Sequence, residues 1–148
     1  MNELKAGKDF IGVGCGVFLI NDNEEVLLLK RSKNSKNEKG YWNKVGGEVE
    51  FGEKLEDALR RETKEELNIE IDDIEFLSVT DHILSEEKQH WVGFNYMAKI
   101  MSGTPKIMEP DKCDEMKWFR FDRMPDKLAM PTKESLPLMI KKYKEKYR

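Results

Sequence analysis

From Phe10 to Ile20, apolar positions alternate with small ones: Val13, Cys15, Val17 and Leu19 fall on one side, Gly12, Gly14 and Gly16 on the other. A period of two predicts a strand, and its bare glycine side lets a ligand or a neighbouring element approach the backbone. Asn21-Asp22-Asn23 supplies a turn, and Glu25 to Lys30 returns as a mostly apolar run that completes a hairpin. Ser32 to Gly40 is polar and loop-like, and Tyr41-Trp42 leads into a glycine turn before a helix. Further strands are expected over Ile74–Asp81 and over Lys88–Ile100, where Trp91, Gly93 and Asn95 alternate with Val92, Phe94 and Tyr96. A short final strand is expected over Lys112–Phe121, with Met116, Trp118 and Phe119. A second helix is predicted to begin between Thr132 and Ser135, with Pro137 in its first turn, and to bury Leu136, Ile140 and Tyr143. Strands, helix, strands, helix is an α+β order.

The first helix, from near Lys54 to Asn68, carries a misplaced set of charges. At roughly 100° per residue, Leu55, Ala58, Leu59, Glu62, Glu65, Glu66 and Ile69 project within an arc of about 120°. Three carboxylates thus continue an apolar stripe. A run of charges is ordinarily a solvated face. At the edge of a core, however, each acid disfavours ionisation of the next unless a divalent cation neutralises them together.

Composition narrows the picture. A chain of 148 residues, 39% hydrophobic and 37% charged, fits one compact globular domain over 1–148 that can bury a core without cross-links. No apolar run approaches the roughly 18 residues of a membrane span, and the N-terminal residues lack an apolar signal segment, so a cytoplasmic protein is expected. Cys15 and Cys113 form no CxxC pattern and are expected to be reduced thiols. A net charge of −3 gives no electrostatic footprint for duplex nucleic acid. The basic tail Lys141, Lys142, Lys144, Lys146 and Arg148 is explained by the negative end of a helix dipole, with phosphate attraction as the other possibility.

From Gly47, five residues lead to Glu53, seven more to Arg61-Glu62, and then come Thr63, Lys64, Glu65-Glu66, Leu67, Asn68 and Ile69. This spacing resembles the Nudix box of hydrolases that cleave nucleoside diphosphates linked to a further group. Thr63 stands where the box commonly has an aliphatic residue, on a face expected to point away from the acids. Asn68 replaces a glycine, and Val45 replaces a proline. Asn tolerates the left-handed conformation that a helix-ending glycine usually adopts.

The resemblance implies an α/β/α sandwich with a mixed sheet between helices, and Mg²⁺ (Mn²⁺ possible) held by Glu62, Glu65, Glu66 and the Gly46 carbonyl. It also implies a Glu53–Arg61 ion pair that orients those carboxylates, and Glu65 as the base acting on the attacking water, with Glu86 and Glu87 in reserve. Arg31 could reach a phosphate with its planar fork, and His90 could line the substrate cleft. Trp42, Trp91 and Trp118 are core residues that could instead stack on a base.

Glu109-Pro-Asp-Lys-Cys-Asp-Glu-Met-Lys-Trp-Phe and the Arg-Glu-Thr-Lys-Glu-Glu core resemble the MutT-type diphosphatases. These convert a nucleoside triphosphate to the monophosphate and pyrophosphate. The neighbourhood His82–Glu86 lacks the proline common in ADP-ribose enzymes, and Met130-Pro131-Thr132-Lys133 lacks the acids common in oxidised-purine specialists. An ADP-ribose or nucleotide-sugar pyrophosphatase and a noncatalytic nucleotide sensor are the alternatives. The expected partner is a small nucleotide, with no membrane contact, acting on a monomer or homodimer.

Overall fold

The computed structural model describes residues 3–148. One mixed sheet contains β1 (Gly12–Ile20), β2 (Glu25–Arg31), β3 (Trp42–Asn43), β4 (Val45–Glu48), β5 (Glu70–Leu84), β6 (Gln89–Ser102) and β7 (Cys113–Arg120). Helix α1 (Leu55–Leu67) joins β4 to β5, and α2 (Met130–Tyr147) follows β7. The strand order is β3-β2-β1-β6-β5, with β4 paired to β1 and β7 to β2. β1 and β6 run parallel, and the other named pairings are antiparallel.

β1 feeds two cores because its side chains alternate. Cys15, Val17 and Leu19 pack with Ala58, Leu59 and Leu67 of α1, whereas Phe18 and Ile20 pack with Leu136, Met139 and Tyr143 of α2. β2 is covered on both faces, with Leu27 and Leu29 on the α1 side and Val26 and Leu28 on the α2 side. A doubly covered strand needs no polar face, and its sequence accordingly reads as a continuous apolar run. The sheet is the middle layer of an α/β/α sandwich. Among the described residues, no helix is long and apolar enough to cross a membrane, and both cysteines are free thiols.

Several expectations change. The segment with Gly46-Gly47 is strand β4 rather than a turn, paired with β1 in the register Gly16↔Gly46. The glycine permits this contact, since a Cβ on Gly46 would sit 2.2 Å from the Cys15 carbonyl oxygen. β5 extends well beyond Ile74–Asp81, because register shifts between Asp72 and Glu75 and between Phe76 and Ser78 absorb the breaks in its alternation. Helix α2 begins at Met130, with Pro131 in its first turn and Pro137 in its interior. Pro137 and Lys133 are both exposed, so water can satisfy the Lys133 carbonyl that Pro137 leaves without an amide partner. Met139, rather than the half-buried Ile140, fills the core beneath this helix.

Asn68 ends α1 in the left-handed conformation, φ 57, with its amide donating to the Lys64 carbonyl. In the basic tail, Lys144 and Lys146 occupy the last turn of α2, and Lys146 pairs with Asp73 and Glu75 of the β5 segment at 2.6 and 2.9 Å.

Candidate active site

Arg61 organises the loop before α1. Its Nε and Nη2 donate to the two carboxylate oxygens of Glu53 at 2.7 and 3.0 Å, and Nη2 also reaches the Glu48 carbonyl at 2.9 Å. Nη1 donates to Glu62 at 2.9 Å and to Glu65 at 3.3 Å. The planar guanidinium can serve these acceptors at once because its five N–H groups diverge in a fixed fork. Its bonds hold the Glu53 carboxyl below the usual carboxylate range. The loop–helix ion pair is thus a structural feature of the chain.

The carboxylates separate into two environments. The Glu62 and Glu65 side chains are 14% and 53% exposed, and Glu66 is buried more deeply, with its Oε2 lacking any hydrogen-bond partner. The placement of Glu65 on the core side is therefore corrected: it stands at the rim. The fully buried side of α1 runs through Ala58, Leu59, Thr63 and Leu67, which turns the core stripe away from Glu65 and towards Thr63. Thr63 itself, expected to face away, is fully buried, and its hydroxyl donates to the Leu59 carbonyl at 3.0 Å. Among the described residues, no three acidic, histidine or cysteine side chains are already gathered as a metal cage.

Burial pushes the Glu66 carboxyl up to about 8, with Glu62 and Glu109 adding like-charge repulsion. Burial likewise raises Glu62. Glu62 lies against the backbone of β4: a Cβ on Gly47 would come within 2.3 Å of Glu62 Oε1. Glu109 completes the acidic wall from an unexpected direction. The loop carrying it is tied to the end of α1 by Lys106 N–H to the Leu67 carbonyl and Met108 N–H to the Glu66 carbonyl, both 3.0 Å. These bonds satisfy carbonyls that a helix C-terminus leaves free, and they set Glu109 beside Glu66. The segment from Glu109 had signalled the family resemblance, but spacing along the chain could not bring it to a helix more than forty residues away. Lys112 pairs with Glu109 at 3.3 Å.

An all-oxygen set of Glu62, Glu66, Glu109 and backbone carbonyl suits a hard divalent cation. The orphaned, crowded Glu66 oxygen is what a bound cation would satisfy. The residues present therefore fit Mg²⁺ or Mn²⁺.

These acids line a cavity of about 690 Å³ with Gly46, Arg31, Lys30 and Lys112 on its other walls. It adjoins a cleft of about 760 Å³ floored by Gly14, Gly16 and Gly93 and walled by Lys44, His82, Trp91 and Glu134. Arg31 borders both spaces, and its guanidinium is steadied by Asn37, through the backbone carbonyl at 3.2 Å and the side-chain oxygen at 2.8 Å. His90 does not face this cleft. On β6 it projects opposite to Gln89 and Trp91, towards Gly7, Phe10 and Ile11, with Nε2 3.6 Å from Asp81.

The cleft histidine is His82, whose Nε2 shares a 2.8 Å hydrogen bond with Thr80 and whose pKa is lowered chiefly by burial. Of the tryptophans, Trp91 borders the cleft and covers Gly12, while Trp42 packs edge-to-face on Phe119 and Trp118 packs against the α1-side core. Glu86 is exposed, and Glu87, also exposed, reaches the cleft margin.

Residues 11–139 match the NUDIX domain. The chain belongs to the Nudix family. A MutT NUDIX hydrolase from Burkholderia pseudomallei is similar in structure, with a TM-score of 0.81 and 37% identity over 86% of this chain and 97% of that one. Putative nudix hydrolase 1 of Caenorhabditis elegans is 35% identical over 68% of this chain but only 26% of its own length. The 8-oxo-dGDP phosphatase NUDT18 of Mus musculus is 31% identical over 67% of this chain and 28% of its own. The Nudix chain thus spans about a quarter of the length of these two curated relatives.

Proposed function

We propose that residues 1–148 form a single Nudix domain that hydrolyses a nucleoside triphosphate to the monophosphate and pyrophosphate, or a related nucleoside diphosphate derivative to the monophosphate and the phosphorylated remainder. The observation that carries this is the unpartnered Glu66 Oε2, buried beside Glu62 and Glu109 in a cavity whose opposite wall is basic. The similarity to a MutT hydrolase over nearly all of that protein's length supports the triphosphate class.

Glu62, Glu66 and the Gly46 carbonyl would hold Mg²⁺ or Mn²⁺, with Glu109 in the same acidic wall and the rim carboxylate of Glu65 tied to Glu62 through Arg61. When bound, such an ion neutralises phosphate oxygens and eases deprotonation of water. Arg61 fixes the orientation of Glu62 and Glu65 while anchored to Glu53. Glu65, half exposed and free of the core, accepts the proton of the attacking water. Arg31 and Lys112 counter the charge of the phosphate chain. The adjoining glycine-floored cleft is large enough for a nucleoside.

The test is hydrolysis of a panel of nucleoside triphosphates, nucleoside diphosphates and ADP-ribose in ¹⁸O-water, with Mg²⁺, with Mn²⁺ or with EDTA. Cation-dependent release of monophosphate and pyrophosphate from triphosphates is expected, with the label naming the phosphorus attacked. Failure to cleave any phosphoric anhydride with either cation would remove the proposal.

A further inference from the structure

The side chain of Lys44 is the least expected feature of the cleft. Lys44 is only 6% exposed, and among the described residues its ammonium makes no hydrogen bond or ion pair. Its stem crosses bare backbone, since a Cβ on Gly16 would lie 2.6 Å from Lys44 Cε. Its Nζ stands 5.2 Å from the centroid of the Phe18 ring. A cation–π contact of this kind offsets only part of the cost of burying an ammonium. A buried donor left without an acceptor, but open to a cavity, marks a place where a ligand oxygen is to be received.

Glu134, in the second turn of α2, lines the same cleft, with Oε2 4.0 Å from His82 Nδ1. Gly14 on the floor of that cleft leaves room for a flat ring, since a Cβ there would meet only the Gly47 carbonyl, at 3.5 Å, whereas the space over Gly93 is taken by His82, with Nε2 3.2 Å from a Cβ at that position. Burial lowers the Lys44 ammonium to about 7, with Glu134 opposing the shift; in its charged form it can only donate, and a carboxylate can only accept. A base seated between the two must therefore offer an acceptor to one and a donor to the other.

We infer that Lys44 and Glu134 select nucleobases with a lactam edge, a keto oxygen beside a ring N–H, as in guanine, hypoxanthine and uracil, over the amino-imine edge of adenine and cytosine. This rests on the nucleotide-hydrolase function proposed above and names the substrate class of that site. The keto oxygen is the stronger acceptor for a buried cation, and the ring N–H is the more acidic donor to a carboxylate, so both contacts become charge-assisted hydrogen bonds. On an amino-imine edge the ammonium meets a ring nitrogen instead of the keto oxygen, and the carboxylate accepts from an exocyclic amino N–H, a much weaker acid than a lactam N–H.

The experiment measures dissociation constants of the α,β-methylene analogues of GTP, ITP, UTP, ATP and CTP with Mg²⁺, for the full chain and for Lys44→Met and Glu134→Gln. Because these analogues resist cleavage, the readout does not depend on turnover, and hydrolysis of the parent triphosphates tests the proposed function separately. The three lactam nucleotides are expected to bind at least about tenfold tighter than the other two. That ratio should fall below about threefold in each variant. Equal binding of all five by the wild type, or failure of any to bind, overturns the inference. So does a uniform loss across the five in Lys44→Met, which would place the ammonium on phosphate or sugar. Glu134 is on the surface of α2, so Glu134→Gln keeps the test decisive even if the buried substitution disturbs folding.

Discussion

Replacing Glu66 by Gln should make the cation-free protein more stable while abolishing its response to Mg²⁺. In the folded chain burial holds this carboxyl at about 8, against 4.5 for the exposed group. Between those values the folded state binds a proton that the unfolded state has lost. Stability therefore falls as pH rises through that window and levels off above it. At pH 7 the difference amounts to about 3 kcal/mol, taking 1.36 kcal/mol per pH unit from 4.5 upwards. A buried Gln amide must find partners of its own, so the net gain for Glu66→Gln is set at about 1 to 3 kcal/mol. For a chain of this size that corresponds to roughly 3 to 10 °C in melting temperature.

Thermal melts in EDTA at pH 5, 7 and 8, repeated with saturating Mg²⁺ at pH 7, would measure it. The gap should shrink to below about 1 kcal/mol at pH 5, which lies only slightly above the 4.5 of the exposed carboxyl. With Mg²⁺ the order should reverse, because only the wild type gains the free energy of cation binding. A variant no more stable than wild type in EDTA at pH 7, or a gap independent of pH, would refute the claim that Glu66 is a crowded, uncompensated acid.

Glu65→Gln should slow hydrolysis by about two to four orders of magnitude with little change in melting temperature, as expected of a half-exposed proton acceptor; near-normal turnover would remove Glu65 from that role. Gly47→Ala should fold yet lose more than about tenfold in kcat, since its Cβ would displace the Glu62 carboxylate from 2.3 Å. Gly46→Ala, whose Cβ would meet the Cys15 backbone oxygen at 2.2 Å, should instead disrupt the β1–β4 pairing and lower the melting temperature. Asn68→Gly should stabilise by about 0.5 to 1 kcal/mol, because glycine adopts φ 57 without the side-chain penalty; chemical denaturation would detect a change of that size.

Local chemistry made much of this protein legible before folding. The alternation in β1, the doubly apolar run of β2, the length of α1 and its left-handed stop at Asn68 follow from periodicity and backbone preference, which act over a few residues. The spacing from Gly47 to Ile69 carried the resemblance to the family, and the resemblance implied the Glu53–Arg61 pair, whose partners lie eight residues apart, one just before α1 and one on it. What the tertiary structure decided lies where segments remote in the chain converge. Glu109 meets Glu66 only because its loop satisfies the free carbonyls of α1, and His82, not His90, reaches the cleft through the pleat of a long hairpin. Glu65 stands at the rim because packing of Thr63 rotates the buried face of α1. Lys44 and Glu134 line one cleft because the link between β3 and β4 and the second turn of α2 border the same glycine floor. Periodicity specifies which side of an element is apolar, but the partner that covers it, and hence which charges lose their water, is set by packing between elements.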